Sequence, residues 1–214
     1  MKVIAVIGMW RSGTTCLANE LAKLGVDFGD VPESTYEDRR IVHIHARGCS
    51  WYRPRKFTIK DEDVEGILAE WRHRQDSGRR LGVKEPAMLF GLESWRNFAE
   101  LEFVGTFRHP AAVFGNLRST FGIHHSQFDR AWCRYHARFL ELHSEKPFPI
   151  VCFDWAEDEY RRALDVACRA IGVDGASSPD FTRRLERKLT YSCSNESADI
   201  YSDLIKRASS SVGS

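Results

Sequence analysis

Apolar residues recur along this chain with two periods, and the alternation between them outlines a fold. Residues 3–7 read Val, Ile, Ala, Val, Ile without a polar break, which predicts a buried strand over Lys2–Ile7. Over residues 14–24 the apolar Cys16, Leu17, Leu21 and Leu24 share one face of a helix that Gly25 ends. A loop with Gly29 and Pro32 follows at 26–34. Residues 35–47, with Ile41, Val42 and Ile44 among charges, predict a second helix. After an irregular stretch at 50–60, residues 61–75 set Val64, Ile67, Leu68 and Trp71 on one helical face. A short strand over Arg80–Lys84 is broken at Pro86, and 89–100 reads as a helix. Residues 101–107 predict a strand that leads through Pro110 into a helix to 118. A long helix over 127–144 carries Trp132, Tyr135, Phe139 and Leu142. Residues 149–153 predict a strand, and 157–171 a helix stopped by Gly172. Short helices are expected at 179–188 and 198–207.

Strands that alternate with helices predict an α/β chain of three layers, αβα, with a mostly parallel central sheet. Ligands in such sheets sit beyond the carboxyl ends of the strands. Four segments reach that rim: residues 8–15, 84–86, 108–110 and 153–155. No Pro, Gly or Ser-rich linker divides the chain and no repeat is visible, so one domain is expected over residues 1–207. The small, serine-rich end at 208–214 is expected to be a frayed tail.

Composition narrows the partners. The chain of 214 residues is 43% hydrophobic and 29% charged, a soluble globular balance, and its formal net charge is +1. No long-range field therefore points to nucleic acid or to an acidic membrane surface. No apolar run approaches the ~18 residues of a membrane span, and residues 3–7 are too short for a signal segment. Six cysteines, at 16, 49, 133, 152, 168 and 193, lack C-x-x-C spacing. They read as free thiols in a reducing compartment, so a cytoplasmic location is expected.

The strongest chemical signal lies between the first strand and the first helix: Gly8, Met9, Trp10, Arg11, Ser12, Gly13, Thr14, Thr15. Gly8 and Gly13 have the spacing of the phosphate-binding loop G-x-x-x-x-G-K-S/T. In that layout the loop N–H groups and the first helical turn point at an anion. The expected topology is therefore that of P-loop NTPases. Position 14 is Thr, however, where a nucleoside triphosphatase has the Lys that reaches the β- and γ-phosphates. The cation comes earlier, at Arg11, whose planar fork suits phosphate or sulfate oxygens. A phosphate-rich ligand is predicted and ordinary ATP hydrolysis is not. A second anion signal is Arg108, His109, Pro110 at the end of an apolar strand, with Asn116 and Ser119 on the helix that follows.

Arg11, Ser12, Gly13, Thr14 and Thr15 together resemble the 5′-phosphosulfate loop of the sulfotransferases that use 3′-phosphoadenosine 5′-phosphosulfate (PAPS). Arg108 with its helix is similar to that family's 3′-phosphate motif, in which Ser follows the Arg by eight residues. Here that position is Asn116, with Ser119 as a fallback. Ala131, Trp132 and Tyr135, with Phe153, Asp154 and Trp155, resemble the family's tryptophan-bearing helix and the strand after it. The family's Arg-Lys-Gly element is not evident, although Arg183, Arg184, Arg187 and Lys188 supply charge late in the chain. The resemblance spans residues 2 to about 172. It implies sulfuryl transfer from PAPS to a hydroxyl or amine of an acceptor, without a metal. It also implies that Arg11 stabilises the leaving phosphate and the moving sulfuryl group. Thr14 and Thr15 would hold the 5′-phosphate, and Arg108 and Asn116 the 3′-phosphate.

The acceptor needs a general base. Glu33 follows the first helix at the spacing where tyrosylprotein and heparan N-sulfotransferases have a catalytic Glu, and Glu37 lies one turn on. Lys84, Glu85 and Pro86 stand where cytosolic members have Lys-Thr-His, so Lys84 matches the Lys and Glu85 becomes a base candidate. The order of preference is Glu33, Glu85, Glu37. His43 and His45, two apart, point to different helix faces, and His109, His124 and His125 lack carboxylate or Cys partners at ligand spacing, so no metal site is expected. Trp10 is a candidate for stacking near adenine or the acceptor, and Trp51, Tyr52 and Phe57 are candidates for a lid or acceptor wall. The acceptor pocket is expected from residues 29–60 and 121–127, whose composition suits a small-molecule, glycan or peptide acceptor. Two other functions share these signals. One is a P-loop small-molecule kinase using ATP and Mg²⁺, and the other a catalytically degenerate PAPS-binding protein.

Overall fold

The computed structural model describes residues 1–50, 52–173 and 191–212. The elements run β1 (Lys2–Ile7), α1 (Thr14–Lys23), β2 (Val26–Asp27), α2 (Arg39–Gly48), α3 (Asp61–Asp76), β3 (Arg80–Lys84), α4 (Leu92–Phe98) and β4 (Glu100–Phe107). They continue with α5 (Pro110–Phe121), α6 (His125–Glu145), β5 (Ile150–Cys152), α7 (Glu157–Ala170) and α8 (Asn195–Val212). The five strands form one parallel sheet in the order β2-β3-β1-β4-β5. Helices cover both faces, so the expected three-layer αβα, P-loop-like arrangement is the fold.

The unbroken apolar run of β1 follows from that burial. Its side chains alternate between two cores: Val3, Ala5 and Ile7 join the larger one, while Ile4 and Val6 join the core under α1 and α7. The register brings the loops to one edge. Val6 pairs with Lys84, Ile7 with Gly105, and Phe107 with Cys152. The segments after β1, β3, β4 and β5 therefore leave the sheet side by side.

Local differences from the sequence reading have local causes. Val26 and Asp27, expected in a loop, form an edge strand by pairing with Arg80 and Leu81. Arg74 holds that strand to α3, its guanidinium 2.9 Å from the Asp27 carboxylate. Burial would raise the Asp27 pKa, but Arg74, the Gly29 N–H and Arg79 outweigh it and hold the carboxyl below the usual range. Helix α2 starts later than expected because Asp38 caps it, its Oδ1 accepting from the Arg40 N–H at 2.8 Å. The helix expected over 89–100 is a 3-10 turn over Pro86–Phe90 followed by α4, divided at Gly91.

The expected tail is corrected most. Helix α8 continues to Val212 and buries Leu204 and Ala208 completely, packing against α6, α7 and β5. Residues 208–212 are thus helical, not frayed. The expected helix at 179–188, with Arg183, Arg184, Arg187 and Lys188, and the aromatic Trp51 lie outside the described residues.

One buried group gives stability a pH dependence. His136 of α6 is fully enclosed, its Nδ1–H donating to the Trp132 carbonyl at 2.9 Å. Burial lowers its pKa from 6.5 to about 4. Between those values the unfolded chain binds the proton more tightly. Stability from this site is therefore whole above pH 6.5 and is lost as the pH falls toward 4, by about 3 kcal/mol. In thermal melts from pH 7.5 to 4.5, His136→Phe is expected to flatten the acid-induced decline. An equal decline in both proteins would refute this assignment.

Candidate anion-binding site at the sheet edge

The chain leaves β1 at Gly8 and enters α1 at Thr14, and the intervening loop is pressed against β4 and β5. A Cβ on Gly8 would stand 2.4 Å from the Thr106 carbonyl oxygen. Gly13 adopts φ 92°, and a Cβ there would meet the Phe153 ring at 2.2 Å. Both positions therefore exclude a side chain, Gly13 on two grounds. Arg11 also has positive φ, 66°, a conformation that costs a non-glycine residue roughly 1–2 kcal/mol. Three bonds hold the loop: the Ser12 N–H to the Met9 carbonyl at 3.1 Å, the Thr106 hydroxyl to the Ser12 carbonyl at 3.1 Å, and the Gly8 N–H to Tyr135 Oη at 3.2 Å. The Tyr135 hydroxyl in turn donates to the Pro86 carbonyl at 3.0 Å. Complete burial drives the Tyr135 phenol well above its ordinary pKa, so it keeps the proton this bond needs.

The loop and the first turn of α1 leave polar groups without partners among the described residues. No side chain caps α1, and its first turn carries no acidic residue. The Ser12 hydroxyl is buried without a partner among the described residues. Thr14 is buried and Thr15 half-buried, while Arg11 is exposed and forms no ion pair among the described residues. Orphaned donors at a helix N-terminus beside a lone guanidinium suit an anion.

Arg108, at the end of β4, faces the same place. Its Nε–H donates to Asp154 Oδ1 at 3.2 Å, and the His109 N–H donates to Asp154 Oδ2 at 2.6 Å. Its guanidinium lies over the Phe153 ring, 5.3 Å from the centroid. That ring is the one that abuts Gly13. The loop and Arg108 thus flank a single aromatic ring. The two Nη groups of Arg108 make no hydrogen bond to the described residues. His109 caps α5, its Nδ1 accepting from the Ala111 N–H at 3.2 Å, and burial lowers its pKa. Asn116 is exposed on α5, and no hydrogen bond joins its side chain to Arg108.

The base candidates separate sharply. Lys84 is buried at the end of β3 with its Nζ 2.5 Å from Glu37 Oε1, and the Glu37 side chain is 22% exposed. Glu85, next along, turns into the core against His45 Nδ1. The Trp95 indole N–H donates to His45 Nε2 at 2.8 Å, which leaves the imidazole proton on Nδ1, facing the Glu85 carboxylate. Glu85 is therefore committed to a buried network, not turned toward an acceptor. Glu33 is exposed and forms no ion pair among the described residues. His45 and His43 do occupy different faces of α2, buried and exposed respectively. The sequence reading named Tyr135, Asp154 and His45 but not their partners, which are Gly8, Arg108 and Glu85 respectively. Asp154 alone left a local signal, as an acidic residue directly after an apolar strand. Among the described residues no group of three or more His, Cys, Asp or Glu could hold a metal ion, and no helix is long and apolar enough to cross a membrane.

No family model and no curated protein match the chain. Solved structures similar to it include the sulfotransferase STF1 from Mycobacterium tuberculosis, 14% identical, with 98% of this chain and 76% of that one covered at a TM-score of 0.46. An unliganded sugar kinase from Janibacter sp. is 15% identical, with 81% of this chain and 95% of that one covered at a TM-score of 0.41.

Proposed function

We propose that this chain is a PAPS-dependent sulfotransferase that moves a sulfuryl group to a hydroxyl or amine of its acceptor. One observation carries the reading: the phosphate loop and Arg108 flank the same Phe153 ring, so two anion grips share one rim. A nucleotide phosphorylated at both its 5′ and 3′ positions needs two such grips, while ATP needs one. The orphaned Ser12 hydroxyl, the uncapped start of α1 and the Cβ-free cradle at Gly13 fit a bound 5′-phosphate. Thr14 in place of the phosphate-loop lysine argues against a kinase.

PAPS supplies a sulfuryl group attached to a phosphate leaving group. Arg11 neutralises the charge that develops on the leaving phosphate oxygen and on the sulfuryl oxygens. Ser12, Gly13, Thr14 and Thr15 hold the 5′-phosphate through N–H and hydroxyl groups. Arg108, its fork oriented by Asp154, takes the 3′-phosphate with both Nη groups, and Asn116 completes that end. Glu37 is the preferred base over Glu33, because Lys84 fixes it at the carboxyl end of β3. It takes the proton from the acceptor as the new O–S or N–S bond forms. Lys84 positions Glu37 and adds positive charge beside the transfer. Glu85 positions the β3 end through His45.

Calorimetry with 3′,5′-ADP and 5′-AMP tests the reading. The bisphosphate is expected to bind at least about ten-fold tighter, the margin of one charge-assisted contact pair. Equal affinities, or magnesium-stimulated ATP turnover, would overturn it. PAPS binding without transfer to any acceptor would keep the donor site and refute the enzyme.

A further inference from the structure

A groove of about 430 Å³ lies between the start of α6 and the segment after α2. Arg53, His124, Gln127, Arg130, Ala131 and Arg134 line it, and no acidic residue does. Arg130 and Arg134 stand four apart on α6, hence on one face, where like charges repel. Arg53 reaches them from the other wall. None of these three guanidinium groups forms an ion pair among the described residues. Several arginines elsewhere are paired, Arg40 with Glu70, Arg74 with Asp27, Arg108 with Asp154 and Arg138 with Glu93, whereas this groove gathers three that are not. In a chain with 31 basic and 30 acidic residues, three guanidinium groups without a carboxylate around one concavity are a local excess, though Arg53 also lies over the Tyr52 ring at 5.8 Å.

Helix α6 ties this groove to the phosphate loop. Arg134 precedes Tyr135, whose hydroxyl holds the Gly8 N–H and whose ring meets Trp10 edge-on at 6.3 Å. Ala131, in the groove wall, is one helical turn from Tyr135, about 6 Å along the axis. The groove wall and the tyrosine that holds the start of the loop thus belong to the same helix.

We propose that the acceptor is acidic, and that Arg53, Arg130 and Arg134 bind its carboxylate, phosphate or sulfate while its hydroxyl or amine faces the loop. The word acceptor rests on the donor reading above; the anion site does not. Guanidinium forks match all three oxyanions, and several around one cleft select a charged ligand over a neutral one of the same shape.

Arginine Nε–Hε signals of the ¹⁵N-labelled full chain, titrated with glucuronate, glucose 6-phosphate, glucose 6-sulfate and glucose, test the site and separate the three anions. The titrations are run with and without 3′,5′-ADP. At least one anionic sugar is expected to bind about ten-fold tighter than glucose, with less effect at high salt. In Arg130→Ala/Arg134→Ala that preference is expected to vanish, while 3′,5′-ADP affinity and the circular dichroism spectrum stay those of the wild type. Both side chains are exposed, so the fold does not depend on them. Equal binding of all four sugars, no binding of any, or a preference that survives the double substitution would overturn the proposal. Loss of 3′,5′-ADP binding with the anion preference intact would remove the donor reading and leave the groove.

Discussion

Arg11→Ala is expected to lower PAPS-dependent transfer about 100- to 1,000-fold, the usual cost of removing one group that stabilises transition-state charge. The melting temperature is expected to stay unchanged. The guanidinium is exposed and has no ion-pair partner among the described residues, so its loss strands no buried charge. The backbone at φ 66° strains Ala about as much as Arg. Arg11→Lys keeps the charge without the fork, and an intermediate rate is expected. Rates are read in a single-turnover assay with PAPS, alongside thermal melts. Wild-type turnover in Arg11→Ala would end the assignment. A rate loss accompanied by a lower melting temperature would mean that Arg11 serves the fold.

Arg108→Ala is expected to act on discrimination. Affinity for 3′,5′-ADP should fall about 10- to 100-fold while that for 5′-AMP changes little, so the preference for the bisphosphate collapses. Some stability goes with it. Arg108 is 7% exposed, and without it Asp154 keeps the His109 N–H but loses the Arg108 guanidinium. A loss of roughly 1–3 kcal/mol is expected. Asp154→Asn separates the two effects. It leaves the Arg108 charge in place but loosens its orientation, so a smaller loss of 3′,5′-ADP affinity is expected. Arg108→Ala with an unchanged ratio between the two nucleotides would show that the 3′-phosphate grip lies elsewhere.

The parts of the site that were legible in the residues are the contiguous ones. The loop could be read from Gly8 to Thr15 because glycine spacing after a buried strand is a backbone requirement, visible without knowing any neighbour. Arg108 was visible for a similar reason, as a cation stranded at the end of an apolar run. The ranking of the carboxylates was not legible. Glu85 and His45 are 40 residues apart, and only the packing of α2 and α4 on the end of β3 turns Glu85 inward. Glu33, first in order on spacing, has no positioning partner among the described residues, whereas Glu37 has Lys84.

By itself, the sequence determined the layers and the loop. Strands covered on both faces are apolar at every position, helices show one apolar stripe, and a phosphate cradle needs glycines at set intervals. Tertiary structure alone decided the rest. Val26 and Asp27 are a strand only because Arg80 and Leu81 offer them a ladder. The serine-rich residues after Ala208 are helical because Leu204 and Ala208 find a core to enter. Tyr135 reaches Gly8 across 127 residues, and Phe153 is wedged between Gly13 and Arg108. Periodicity records how one segment meets water and the core. Which polar group meets which depends on where distant segments are brought together, and no local pattern carries that.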